Sequence, residues 1–209
     1  MYTIENNYKD DDQTWLKCDE SDLWIFDKLI LARKLGYICG PHGVPVPKKD
    51  IYIVRPCVNL MSMGRGAFFT ELESDTDDCI PDGYFWCEVF KGRHLSVDYE
   101  DGKQILCVEG LRNKKNPIWK WDKWVRTDDK IEFPNVLKHL FGKYKYTNLE
   151  MIDGKIIEIH LRLNTDWVEM NYETTKEMIP VFDKNHNINT SEFNYKYSPC
   201  YNRIGFYYR

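Results

Sequence analysis

Hydrophobic and polar residues alternate most regularly in Gly154–Asn164, GKIIEIHLRLN. At period two, Ile157, Ile159, Leu161 and Leu163 share one face of a strand, and Glu158, His160 and Arg162 share the other. The first face is core. The second carries three groups able to bind a metal or a phosphate, more than a solvated face requires, although an ordinary strand with a charged outer face shows the same alternation. Upstream the period changes. Leu23, Phe26, Leu29 and Ile30 recur at helical spacing, Ser21 or Asp22 can cap the start and Gly36 can end it, so one helix is expected over about 22–35.

The following GPHGVPVPKKD is too rich in proline and glycine for regular structure and leads into a strand at Asp50–Arg55, with Ala67–Glu73 as its return. Tyr84–Tyr99 reads as two strands about a turn at Lys91-Gly92. Asp101-Gly102 makes the next hairpin into Gln104–Glu109, so an antiparallel meander is expected. Pro134–Phe141 reads as a short helix before the Gly154–Asn164 strand. Residues 1–20 form a polar, acidic arm or edge element. Glu173–Ile179 reads as one or two helical turns, and the tyrosines of the tail argue that it docks on the domain.

Composition narrows the classes. The 209 residues suit one large domain or two small lobes with a real core. A net charge of −4 leaves no global field for nucleic acid or an anionic membrane. The seven cysteines are odd in number, contain no CxxC pair and follow no secretory segment, which favours reduced thiols in a cytoplasm. No apolar run is long enough to span a membrane. Asp75, Asp77 and Asp78 form an acidic loop, expected to be solvated, that lacks the other ligands of a calcium loop. Gly64-Arg65-Gly66 is either a hairpin turn or a turn whose amides face a phosphate. Trp119, Trp121 and Trp124, interleaved with Lys120, Lys123 and Arg126 after Arg112, either stack bases or form an aromatic rim under lysine stems. His139 has no evident partner.

Six stretches in order resemble the ATP-grasp superfamily. Asp27-Lys28 resembles its "DK", Gly43–Pro47 its "GVPVP", and Ile53-Val-Arg-Pro56 its strand "VVKP". Gly64-Arg-Gly66 sits where its glycine-rich loop lies. Cys87-Glu-Val-Phe-Lys-Gly-Arg93 resembles its hinge "EEFIEGRE", and Glu158-Ile-His-Leu-Arg162 its "EVNPR". The resemblance covers about 27–164. It implies an α+β fold of two lobes with antiparallel sheets and the nucleotide between them. The boundaries would be an arm over 1–20, a small lobe over 21–83, a larger lobe with the metal strand over 84–170, and a packed extension over 171–209.

The resemblance further implies ATP with Mg2+ or Mn2+. ATP would be held by Lys28, Arg55, Gly64, Arg65, Gly66, the hinge Cys87, Glu88, Val89 and Phe90, and His94 where the family has an acidic ribose ligand. Glu158, His160, Glu150 and Asn164 would hold the metal, and Arg55 and Arg162 would be catalytic. Arg55 in place of lysine keeps the cation. His160 in place of asparagine brings an imidazole, which suits manganese or zinc better than magnesium.

The implied reaction is ATP-dependent ligation of a carboxylate to an amine or thiol through an acylphosphate. Its substrate would be a small-molecule or peptide carboxylate. Only about 20 residues precede the first motif where the family carries a separate N-terminal domain, so a partner protein is expected to stand in for it. One alternative is an inactive nucleotide- or protein-binding module; another is a nucleic-acid binder using 112–126. Pared-down members of this kind resemble those of viral genomes, which would place the chain in a host cytoplasm.

Overall fold

The computed structural model describes residues 11–58, 64–74, 80–182 and 190–209. The class is α+β, built on two antiparallel sheets with short helices, as expected. The chain opens with α1 (Asp11–Lys17), a 3-10 helix (Glu20–Phe26) and α2 (Lys28–Lys34). A four-stranded sheet follows, in the order β1-β4-β2-β3, from β1 (Cys39–Pro41), β2 (Asp50–Pro56), β3 (Phe68–Leu72) and β4 (Tyr84–Glu88). The remaining strands are β5 (His94–Glu100), β6 (Lys103–Leu111), β7 (Lys123–Arg126), β8 (Tyr146–Ile152), β9 (Lys155–His160), β10 (Glu177–Val181), β11 (Asn194–Cys200) and β12 (Arg203–Tyr208). They form an eight-stranded sheet in the order β11-β12-β10-β7-β6-β5-β8-β9. A 3-10 helix (Asn135–Leu140) precedes β8, and α3 (Thr165–Glu169) follows β9.

The single helix expected over 22–35 is two helices. Asp27 is extended (φ −99°, ψ 104°) and bridges Val58, which takes it out of the helical ladder, and its carboxylate then caps α2 by accepting from Ile30 N. Both helices roof the large sheet: Ile25, Phe26 and Leu31 pack with Leu95, Val97, Leu149, Met151, Ile159 and Leu161. Ala32 of α2 instead joins Phe85 and Cys87 of the small sheet. The segment around Asp27 is therefore the seam between the two sheets.

Three boundaries shift. Because β4 lies between β1 and β2, the small sheet runs past residue 83 to Glu88. The Lys91-Gly92 stretch is then a crossing between sheets and not a hairpin turn. Gly92 (φ +139°) leaves no room for a side chain beside Asp153, whose amide donates to Arg93 O. The hairpin at Asp101-Gly102 forms as expected, with both residues at positive φ. The tail is no appendage: β10, β11 and β12 are integral strands, with Met178 and Phe206 in a core with Leu106, Val108 and Trp167, and Glu177 begins a strand in place of a helical turn. Residues 11–17 are a helix with Thr14 fully buried, in place of a loose arm. The acidic loop Asp75, Asp77 and Asp78 lies outside the described residues.

Candidate metal centre

β8 and β9 pair with Glu150 opposite Glu158 and Asn148 opposite His160. A bulge between Glu150 and Met151 gives β9 one extra residue, Ile157. The bulge lets Ile156 and Ile159 both reach the core and displaces Ile157 from the row in which it was expected. From Glu158 to Arg162 the alternation survives, but the polar face is not solvated. Glu158, His160 and Arg162 are buried together with Ser96, Asp98 and Asn148 from β5 and β8.

Glu150, Glu158 and His160 bring one donor atom each to within 4.8 Å of one another. His160 Nε2 faces Glu150 Oε1 at 4.0 Å and Glu158 Oε2 at 3.7 Å. Lys28, the first residue of α2, places Nζ 2.7 Å from Glu158 Oε1, and its amide donates to Cys57 O at the end of β2. On the other side, His94 Nε2 stands 3.4 Å from Glu150 Oε2, an ion-pair distance whose geometry is not that of a hydrogen bond. Burial pushes the Glu150 carboxyl up, but the neighbouring His94, His160 and Lys28 outweigh it and hold it below the usual carboxylate range. Glu150 is therefore ionised at neutral pH.

The far side of His160 is held by α1. Asp11 accepts from His160 Nδ1 at 2.9 Å and from Arg162 Nη2 at 2.9 Å. Arg162 Nη2 also lies 3.3 Å from His160 Nδ1. A guanidinium cannot accept, and Asp11 has no proton of its own to give, so Nδ1 carries the proton toward Asp11 and Nε2 is the nitrogen turned to the carboxylates. Burial raises the Asp11 carboxyl, yet His160 and Arg162 hold it well below the usual carboxylate range.

A second buried carboxylate, Asp98, accepts from Asn148 Nδ2 (2.7 Å), Asn164 N (3.0 Å) and Tyr172 Oη (2.9 Å). Complete burial still pushes it up to about 6. Sequence reasoning missed both acids. Asp11 lies in an acidic run without periodicity, whereas Asp98 alternates with Ser96 against Leu95, Val97 and Tyr99, a signal that could have placed it on this face.

The other expected site residues divide into three groups. Asn164 uses Oδ1 to accept from Trp167 N, capping α3, and Nδ2 to donate to Ser96 Oγ, so a metal bond there would compete with the cap. In the small sheet, Arg55 is buried, lies 5.2 Å over the Phe85 ring, and its Nε has no partner among the described residues. Cys87 is buried, and Glu88 is taken by Ile38: its amide donates to Ile38 O and its carboxylate accepts from Ile38 N. Phe90 meets Tyr37 at 4.8 Å and Lys155 Nζ at 4.4 Å, and Val89 is half-buried beside it. Gly64 (φ +65°) and Gly66 (φ +74°) do form a left-handed turn, and a Cβ on Gly66 would stand 2.5 Å from Tyr84 Oη. Arg65 stacks on Tyr201 at 3.7 Å.

The Trp/Lys stretch is packed inward on itself. Trp121 and Trp124 lie 4.8 Å apart and both meet His94 edge-on, while Trp119 meets Phe182 and Tyr201. Rings occupied in this way are poor stacking platforms for bases. His139 has partners after all, stacking on Trp24 and lying 3.5 Å from Asp22.

Two carboxylates and one imidazole fit a divalent cation as a donor set. Around an ion with bonds of about 2.1 Å, neighbouring donors lie roughly 3 Å apart, so the three side chains would close in and Lys28 would yield Glu158.

No protein-family model matches the chain, and no curated protein does. Among solved structures it is similar to an ATP-grasp superfamily protein from Archaeoglobus fulgidus (18% identity, TM-score 0.46), over 79% of this chain and 60% of that one. It is also similar to N5-carboxyaminoimidazole ribonucleotide synthetase from Thermotoga maritima (12%, 0.48), over 88% and 66%. A third is a D-alanine–D-alanine ligase from Bacillus anthracis complexed with ATP (17%, 0.40), over 68% and 56%. The chain thus spans roughly three-fifths of their lengths. Among the described residues no helix is long and apolar enough to cross a membrane.

Proposed function

We propose that the protein is an ATP-dependent carboxylate ligase of the carboxylate–amine or carboxylate–thiol type. The nucleotide would lie between the two sheets, and a divalent cation, Mg2+ or Mn2+, at Glu150, Glu158 and His160. One observation carries this reading: an ionised Glu150 faces Glu158 across a strand pair at the seam of two sheets, with His160 turned toward both and Lys28 reaching in from α2. A bound cation would neutralise phosphate charge and orient the phosphates.

In the proposed reaction a substrate carboxylate oxygen bonds to the γ-phosphorus as ADP leaves. The amine or thiol then attacks the acyl carbon and phosphate departs. The chain supplies alignment and charge and no covalent nucleophile. Lys28, freed from Glu158, and Arg55 offer cations to the phosphates; the Gly64–Gly66 turn and the Val89–Phe90 crossing would enclose the nucleotide. The substrate would be a small-molecule or peptide carboxylate. The chain's cysteine usage supports a cytoplasmic setting for this reaction.

Calorimetric titration of ATP with and without Mg2+ or Mn2+ tests the proposal. Heat is expected only with metal and should vanish in Glu158→Gln; no heat with either metal refutes it. A second reading, binding without turnover, is favoured by Arg162: its guanidinium is buried, with Nη1 donating to Leu163 O and Nη2 to Asp11, so that both terminal nitrogens are already engaged. ATP bound tightly with no ADP formed over a panel of carboxylates and amines would select it.

A further inference from the structure

Among the described residues α1 reaches the site through Asp11, which meets not the two carboxylates but the imidazole between them. Asp11 is 8% exposed, and Thr14, one turn on, is fully buried and donates back to Asp11 O within the helix, so the first turn of α1 is both buried and internally tied. From there Asp11 reaches His160 Nδ1 at 2.9 and 3.0 Å with its two oxygens and Arg162 Nη2 at 2.9 Å. An imidazole can offer a metal only the nitrogen that carries no proton, and a carboxylate on the opposite nitrogen fixes which one that is and how the ring is turned. Without Asp11 the ring could flip or change tautomer, and Nε2 would cease to face Glu150 and Glu158.

We propose that Asp11 is a positioning residue for the metal donors: it presents His160 Nε2 to a cation shared with Glu150 and Glu158, so that docking of α1 and cation binding are one coupled event. The inference rests on the cation site proposed above. Two consequences separate it from a plain helix anchor. Loss of Asp11 should weaken a cation that favours imidazole more than one that favours oxygen, because the carboxylates stay in place. Cation binding should also protect α1, which lies on the opposite side of His160 from the carboxylates.

The experiment uses the full chain and Mn2+ or Mg2+ alone, without nucleotide. Free Mn2+ is followed by electron paramagnetic resonance, Mg2+ by calorimetry, and amide exchange is measured over 11–17. The wild type should bind Mn2+ and slow exchange in α1 on binding. Asp11→Asn should bind Mn2+ about 10- to 100-fold more weakly, lower the Mn2+/Mg2+ affinity ratio and lose the protection. Asp11→Glu should recover part of the ratio. The ¹⁵N shifts of His160 should report protonated Nδ1 in the wild type and a mixture of tautomers in Asp11→Asn, a signature that general destabilisation would not produce. If the wild type binds Mn2+ and Glu158→Gln abolishes binding, but Asp11→Asn keeps the wild-type ratio and protection, Asp11 is no positioning residue and the metal site stands. If the wild type binds neither cation, the metal site itself is overturned.

Discussion

Replacing Lys28 by methionine keeps the length of the side chain and removes its charge. The Nζ–Oε1 distance to Glu158 is 2.7 Å, and the two side chains are only 7% and 10% exposed, so the pair is barely screened. At an effective dielectric of about 20, Coulomb attraction at that distance is roughly 6 kcal/mol. Desolvation and ordering of the lysine reduce this, and deleting one partner of a buried pair commonly costs about 3–5 kcal/mol. In a chain of 209 residues each kcal/mol shifts Tm by about 2–4 °C, so Lys28→Met in EDTA should melt roughly 6–20 °C below the wild type. The same substitution removes the competitor for Glu158. Mn2+ should therefore stabilise the variant more than the wild type, with about 2.7 kcal/mol available at a hundredfold excess over Kd. Differential scanning calorimetry with EDTA and with MnCl2 measures both effects. A variant melting within 2 °C of the wild type in EDTA, or an equal Mn2+ increment in both proteins, would show that Lys28 does not occupy the place of a cation.

Two further outcomes follow from the same structure. Asp98, pushed from 3.8 to about 6, holds its proton more tightly in the folded state than in the unfolded chain. Its contribution is thus full below about pH 4 and declines by about 3 kcal/mol as pH rises through about 6. Urea titrations at pH 4 to 7 should show the wild type losing that much relative to Asp98→Asn, and a constant difference refutes it. Gly66→Ala forces a left-handed Cβ toward Tyr84 Oη and should cost about 1–2 kcal/mol from the backbone alone, whereas Gly43→Ala, at similar φ with open space around it, isolates the backbone part of that penalty; equal losses at the two positions would mean that Tyr84 makes no steric contribution.

The polar half of the site was legible because it follows strand periodicity. Glu158, His160 and Arg162 keep period two, and Glu150 is brought opposite Glu158 by the Asp153-Gly154 turn between β8 and β9. The bulge at Ile157 was not legible, since three isoleucines in Ile156-Ile-Glu-Ile159 fit either register equally well. Asp27 was hidden for a different reason. Helical spacing continues across it, and only the pairing with Val58, thirty-one residues later, makes it extended. The Lys91-Gly92 crossing read as a hairpin because turn chemistry is local, while the choice of partner strand is made by the core.

The eight-stranded sheet also explains why the polar face deserves a functional reading in spite of its burial. One face changes character partway across. Over β6, β10 and β12 it is closed by Leu106, Val108, Met178 and Phe206 under Trp167, an ordinary apolar cover. Over β5, β8 and β9 the same face carries Ser96, Asp98, Asn148, Glu150, Glu158 and His160. Apolar residues of similar volume in place of buried ionic groups are often neutral or stabilising, and this sheet already shows, a few strands away, that such packing is available to it. Stability alone therefore does not account for the switch. It falls on the strands that adjoin the Asp27–Lys28 seam, where Lys28 of α2 reaches Glu158 with its side chain and Cys57 O, just past β2, with its amide, and there Glu150 and Glu158 are placed beside the junction of the two sheets.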